Sequence, residues 1–106
     1  MGQVVVVAYR PQPGAEARLL GLIREHVPIL RGEGLATDRE PLVLRAGDGT
    51  LVEVFEWASA EAIERAHSNP AVQSLWGRFA EVCEYVPLSQ LDECRGPFAT
   101  FEPVEP

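Results

Sequence analysis

No lysine occurs anywhere in the 106 residues, so nine arginines carry all of the basic charge against sixteen carboxylates, for a net charge of −7. That absence removes Schiff-base chemistry, pyridoxal phosphate anchoring and the phosphate-binding lysine of a Walker loop. The arginines are scattered singly, and the chain lacks the basic patch that a nucleic-acid backbone or an anionic membrane surface requires. Nucleic acid and membrane are therefore not expected as partners. No apolar run approaches the ~20 residues of a membrane span. The stretch from Met1 to Ala8 has no basic region, and its apolar run is too short for a signal peptide. Only two cysteines are present, Cys83 and Cys94. In a reducing compartment such a pair reads as two small apolar side chains, and the chain is read as cytoplasmic. Two histidines far apart, His26 and His67, make a poor chelating set, so neither a metal nor a cofactor is expected. What is present suffices for one domain spanning 1–106, with 46% hydrophobic residues to build a core.

Gln3 to Tyr9 is an apolar, β-branched run stopped by Arg10-Pro11-Gln12-Pro13-Gly14, which predicts a strand and a turn. From Ala15 the period changes. Leu19, Ile23, Val27 and Leu30 recur every three to four residues, predicting an amphipathic helix to about Arg31 that ends at Gly32 and Gly34. Pro28 removes one helical hydrogen bond, so the last turn is expected to be kinked or separate. Pro41 to Ala46 and Thr50 to Trp57 form the next strands, joined through Gly47-Asp48-Gly49 as an antiparallel hairpin. Ser59 caps a helix from Ala60 to about His67. Asn69-Pro70 then starts another, whose apolar positions Val72, Leu75, Trp76, Phe79, Val82, Cys83 and Val86 carry it to Pro87. A short turn over Ser89 to Asp92 and a last strand over Phe98 to Glu102 complete the reading, with a frayed tail over 103–106.

The order is βαββαβ, an α+β, ferredoxin-like arrangement of four antiparallel strands with the helices on one face. The other face then needs cover. Since Leu51, Glu53, Phe55 and Trp57 alternate with Val52, Val54 and Glu56, both faces carry apolar groups, and a second copy of the chain is the expected cover: a homodimer through the open sheet face. Glu53 is costly to bury alone; counted outward from the Asp48-Gly49 turn, Ala46 faces Leu51 and Arg45 faces Val52 or Glu53 depending on register, so Arg45 is its expected partner at such an interface, with a catalytic carboxylate as the alternative.

The stretch Val54-Phe55-Glu56-Trp57-Ala58-Ser59-Ala60-Glu61-Ala62, followed by Ala66-His67-Ser68-Asn69-Pro70, resembles the dimeric α+β barrel superfamily. In particular it resembles the antibiotic biosynthesis monooxygenase-like proteins. The resemblance runs from the first strand to about Val86. It implies a homodimer with a pocket between sheet and helices in each subunit, in which some members oxidise aromatic polyketides or quinols without metal or flavin. Haem-degrading relatives use an asparagine on the first strand, then a tryptophan and a histidine on the second helical segment. Those positions fall near Val7, Ala66 and Trp76 here, so haem degradation is not expected.

His67, beside the helix break, is the candidate catalytic acid or base, since imidazole titrates near neutrality; the alternative is a capping histidine. Phe55 and Trp57, on one face of their strand, and Trp76, on the apolar helix face, are candidates to stack on a planar ligand or to serve as core. Tyr9 and Arg10 end the first strand, where a phenol and a guanidinium can hold a polar group of a substrate. His26 sits close to the apolar stripe of the first helix and lines the same expected cavity. Two functions remain open. One is a small-molecule enzyme, a monooxygenase needing no cofactor and acting on an aromatic or quinol-type compound. The other is a binding or accessory homodimer without chemistry. A cavity of about 300 Å³ or more between sheet and helices, lined by His67 and Trp57, favours the first.

Overall fold

The computed structural model describes residues 1–105. It is an α+β fold built on one antiparallel sheet, with β1 over Gln3–Pro11, β2 over Leu42–Arg45, β3 over Leu51–Trp57, β4 over Cys83–Val86 and β5 over Glu102–Pro103. Three helices, α1 over Glu16–Gly32, α2 over Ala60–Ala66 and α3 over Pro70–Val82, complete the regular structure. The sheet order is β4-β1-β3-β2-β5, with β1 and β3 at its centre.

The helix ends follow local chemistry. Ser59 Oγ accepts from the Ala62 amide at 3.0 Å, and Asn69 Oδ1 accepts from the Val72 amide at 3.1 Å with Pro70 next in line, as the sequence predicts. At the far end of α1, Gly34 takes a φ of 74°. The Leu35 amide then reaches back to the Leu30 carbonyl at 2.8 Å and the Gly34 amide to the Arg31 carbonyl at 2.9 Å. Those paired bonds close the helix, and buried Leu30 and Leu35 pack in the same cluster. Of the two alternatives expected at Pro28, a separate last turn is not formed: the helix continues through Pro28 to Gly32. Pro28 lies on the exposed side, where solvent can serve the carbonyl it leaves unpaired, while Val27 and Leu30 anchor the turn from the core.

Two strand assignments differ from the sequence reading. The last helix stops at Val82 rather than Pro87, and Cys83–Val86 pairs with β1 as an edge strand. Val82, Cys83 and Val86 fit a helical period, but Cys83 is also buried and takes an extended φ of −155°. Short apolar runs of this kind satisfy either period, and here an open edge of β1 claims the backbone. The strand expected over Phe98 to Glu102 forms only at Glu102–Pro103, as a fifth strand on β2. Nor does the chain fray at once beyond it. The Val104 amide bonds the Val43 carbonyl at 2.9 Å, and the Glu105 carbonyl accepts from Arg24 at 3.0 Å. Pro106, the last residue of the expected frayed tail, lies outside the described residues.

The hairpin turn also shifts the expected register. Ala46 receives no partner at Leu51; its amide bonds the Thr50 carbonyl at 2.8 Å, and Gly49 adopts a φ of 93°. The loop therefore holds three residues with glycine in the left-handed position, which sets Arg45 opposite Leu51 and Val43 opposite Glu53.

The helices cover the face carrying Leu51, Glu53, Phe55 and Trp57, all buried. On the other face, the chain supplies part of the cover itself. Leu91, between 3-10 turns at Leu88–Gln90 and Asp92–Arg95, is fully buried against Ala8, Ala46 and Val52. Glu93 holds this segment down by accepting the Gly47 amide at 2.8 Å. Val4, Val6 and Leu42 remain exposed at the opposite end of that face.

Candidate functional site

Strand alternation carries Glu53 into the interior, where it is 0% exposed in the middle of β3. Its Oε1 accepts the Tyr9 hydroxyl at 2.6 Å and faces His26 Nδ1 at 2.9 Å. On the other side of the imidazole, His26 Nε2 lies 3.3 Å from Trp76 Nε1. An indole N–H can only donate, so Nε2 accepts; Nδ1 therefore carries the hydrogen and donates to Glu53. Two donors on one oxygen offset much of the cost of burying a carboxylate, and charge-assisted bonds of this kind are the short, strong ones. Phe55 and Phe79 set their faces or edges against the imidazole at 5.1 and 5.3 Å, which fixes its tilt.

Burial, followed by the neighbouring Glu53 charge, holds the Tyr9 phenol well above its ordinary range. Tyr9 is thus a hydrogen donor at neutral pH rather than a base. Burial also pushes the Tyr85 phenol up to about 12 and the Cys83 thiol up to about 11. Both cysteines are free.

His26, Tyr9 and Trp76 open onto a cavity of about 340 Å³ between sheet and helices, walled further by Val5, Val7, Phe55, Trp57 and Tyr85. The volume lies at the lower end of the range for small-molecule sites. Its polar atoms are few and converge on one side, while its aromatic wall is ordered by ring contacts of 5.2 Å between Phe55 and Trp57 and 6.5 Å between Trp57 and Trp76. Tyr85, 55% exposed on the edge strand, forms the lip.

Five residues singled out from sequence, Tyr9, His26, Phe55, Trp57 and Trp76, come together in this cavity. Arg10 and His67 do not. Arg10 follows Tyr9 onto the opposite face of the sheet, where it reaches Gln90 at 3.4 Å and Asp48 at 4.0 Å. His67 is exposed at the end of α2. Its Nδ1 donates to the Ile63 carbonyl at 2.8 Å, and its ring stands edge-on to Trp76 at 5.4 Å, behind the cavity wall.

The expected Glu53–Arg45 pair does not form, because the three-residue turn places Val43 opposite Glu53. Arg45 instead binds Glu16 at 2.7 Å and Glu102 at 3.5 Å. Sequence reasoning saw Glu53 as half of an interface pair and missed it as the anchor of Tyr9 and His26. It also passed over Val5, Val7 and Tyr85. Alternation from Tyr9 gives the two valines, whereas Tyr85 was hidden by reading its strand as helix.

Among the described residues, no group of three or more His, Cys, Asp or Glu side chains is placed to hold a metal ion. No helix there is long and apolar enough to cross a membrane. Compared with known proteins, the chain matches no family model, no curated protein and no solved structure.

Proposed function

We propose that the protein binds a small planar aromatic compound carrying a hydroxyl, a phenol or quinol, and oxygenates it without a cofactor. The observation that carries this reading is the buried His26–Glu53 pair at 2.9 Å, opening onto an aromatic-walled cavity of about 340 Å³. A substrate hydroxyl takes the place of the Trp76 indole as donor to His26 Nε2 and passes its proton there. The resulting imidazolium is stabilised by Glu53 through Nδ1–H, the arrangement in which a carboxylate supports a general base. The ionised, electron-rich substrate then reduces dioxygen itself: the ring C–H para to the ionised hydroxyl becomes C=O with one oxygen atom, the hydroxyl carbon becomes the second carbonyl, and the other oxygen leaves as water. Tyr9, held protonated, keeps Glu53 in place, and the apolar walls exclude bulk water.

The strand order β4-β1-β3-β2, ferredoxin-like with β5 added at the edge, and the resemblance to dimeric α+β barrel proteins support the same reading. A second copy on the exposed Val4, Val6 and Leu42 completes it as a homodimer. One observation favours binding without chemistry: Trp76 already occupies His26 Nε2 at 3.3 Å.

Calorimetric titration with quinols and polycyclic phenols, paired with oxygen uptake on each ligand that binds, tests the proposal. His26→Gln is expected to retain ligand binding and to lose uptake about 100-fold or more. Binding with no uptake by the unaltered protein moves the reading to a binding module. Absence of any phenol or quinol binding overturns both.

A further inference from the structure

The second oxygen of Glu53 points to another site. Oε2 is buried and has no hydrogen-bond partner among the described residues, although Oε1 of the same carboxylate has two. Leaving one lone-pair set of a buried carboxylate unused is costly. Glu53 does not line the aromatic cavity. It lines a separate one of about 440 Å³ on the other flank of α1, closed by β2 and by Pro103, Val104 and Glu105. The two cavities thus lie on either side of Glu53, and each faces a different set of residues.

The chemistry of the second cavity selects its occupant. Ile23, Val27, Val43 and Val104 give it an apolar body. Arg24, Arg31, Glu40 and Glu105 stand around it with equal numbers of each charge. The two guanidiniums are engaged by backbone carbonyls, Arg24 with Glu105 at 3.0 Å, and Arg31 with Thr37 at 2.8 Å and Arg39 at 2.7 Å. Neither guanidinium is bonded to Glu53, and its two partners, Tyr9 and His26, both meet the other oxygen, Oε1.

We propose that the second cavity binds a small primary ammonium compound with a short apolar body, whose N–H group donates to Glu53 Oε2. The ligand supplies the missing donor in a charge-assisted bond, while its alkyl part replaces water against Val27 and Val43. This site does not depend on the oxygenase reading, because its lining and that of the aromatic cavity share no residue.

The test is an amide-resolved NMR titration with butylammonium, using butanol and butyrate as matched probes. Butylammonium is expected to shift the amide signals of Val27, Val43 and Val104, leave the Trp57 signal in place, and bind at least tenfold more tightly than butanol. Glu53→Gln should weaken binding at least tenfold. Should that variant fail to fold, Val104→Phe fills the cavity from its outer wall without touching the Glu53 bonds, and should abolish the shifts. Equal binding of butanol, shifts confined to the aromatic cavity, or undiminished binding by Val104→Phe would overturn the proposal.

Discussion

Protons at Tyr9, Tyr85 and Cys83 are held by the fold more tightly than by the open chain, because burial penalises each anion. The folded protein therefore binds more protons than the unfolded one through the alkaline range. This stabilisation is fully present below the ordinary thiol and phenol values. It drains as pH rises from about 9, through the Cys83 value of about 11 and the Tyr85 value of about 12. Urea midpoints are expected to fall steadily above pH 9. Tyrosinate absorbance should show neither of the chain's two tyrosines ionising at pH 10 while the protein is folded. A Tyr9 phenol titrating at its ordinary value would contradict the burial of that residue. Much of this interior is legible from alternation: Tyr9, Phe55 and Trp57 fall on the inward side of their strands, and His26 follows the apolar stripe of its helix. What alternation does not give is the partner of Glu53. Its partners come from β1 and α1, while the hairpin register sets Arg45 two positions away, opposite Leu51.

At the scale of elements, the caps carry measurable stability. Asn69→Ala removes the side-chain acceptor of the Val72 amide at the start of α3 and is expected to cost about 1 kcal/mol by urea unfolding, with little change in the helical circular dichroism of the native state. No loss would mean that Pro70 alone sets the start of the helix. Local signals of this type, Ser59, Asn69-Pro70 and Gly34, were readable because each satisfies or terminates backbone groups within one turn of chain. The edge strand β4 was not, since its conformation depends on β1, more than 70 residues away in the pairing of Ala8 with Val86. The same holds for β5, where two residues find a partner only after β2 is in place.

For the whole molecule, the outer sheet face is unequally covered. Leu91 seals one end, while Val4 at 60% exposure, Leu42 at 52% and Val6 at 43% stay open at the other. Under the proposed homodimer, sedimentation equilibrium should give twice the chain mass, and Val6→Arg should halve it while leaving the circular dichroism intact. A monomer at tens of micromolar protein would remove the second copy from the proposal. The sequence showed that both faces of β3 are apolar. It did not show that residues 88–95 fold back over half of one, because nothing in their own periodicity names the surface they meet. The aromatic wall has a different consequence. Trp57 and Trp76 are the chain's two tryptophans, and both stand in the first cavity. All indole fluorescence therefore arises beside His26, so an occupant there changes the emission directly, whereas one lodged beyond α1 leaves the indoles without a new neighbour.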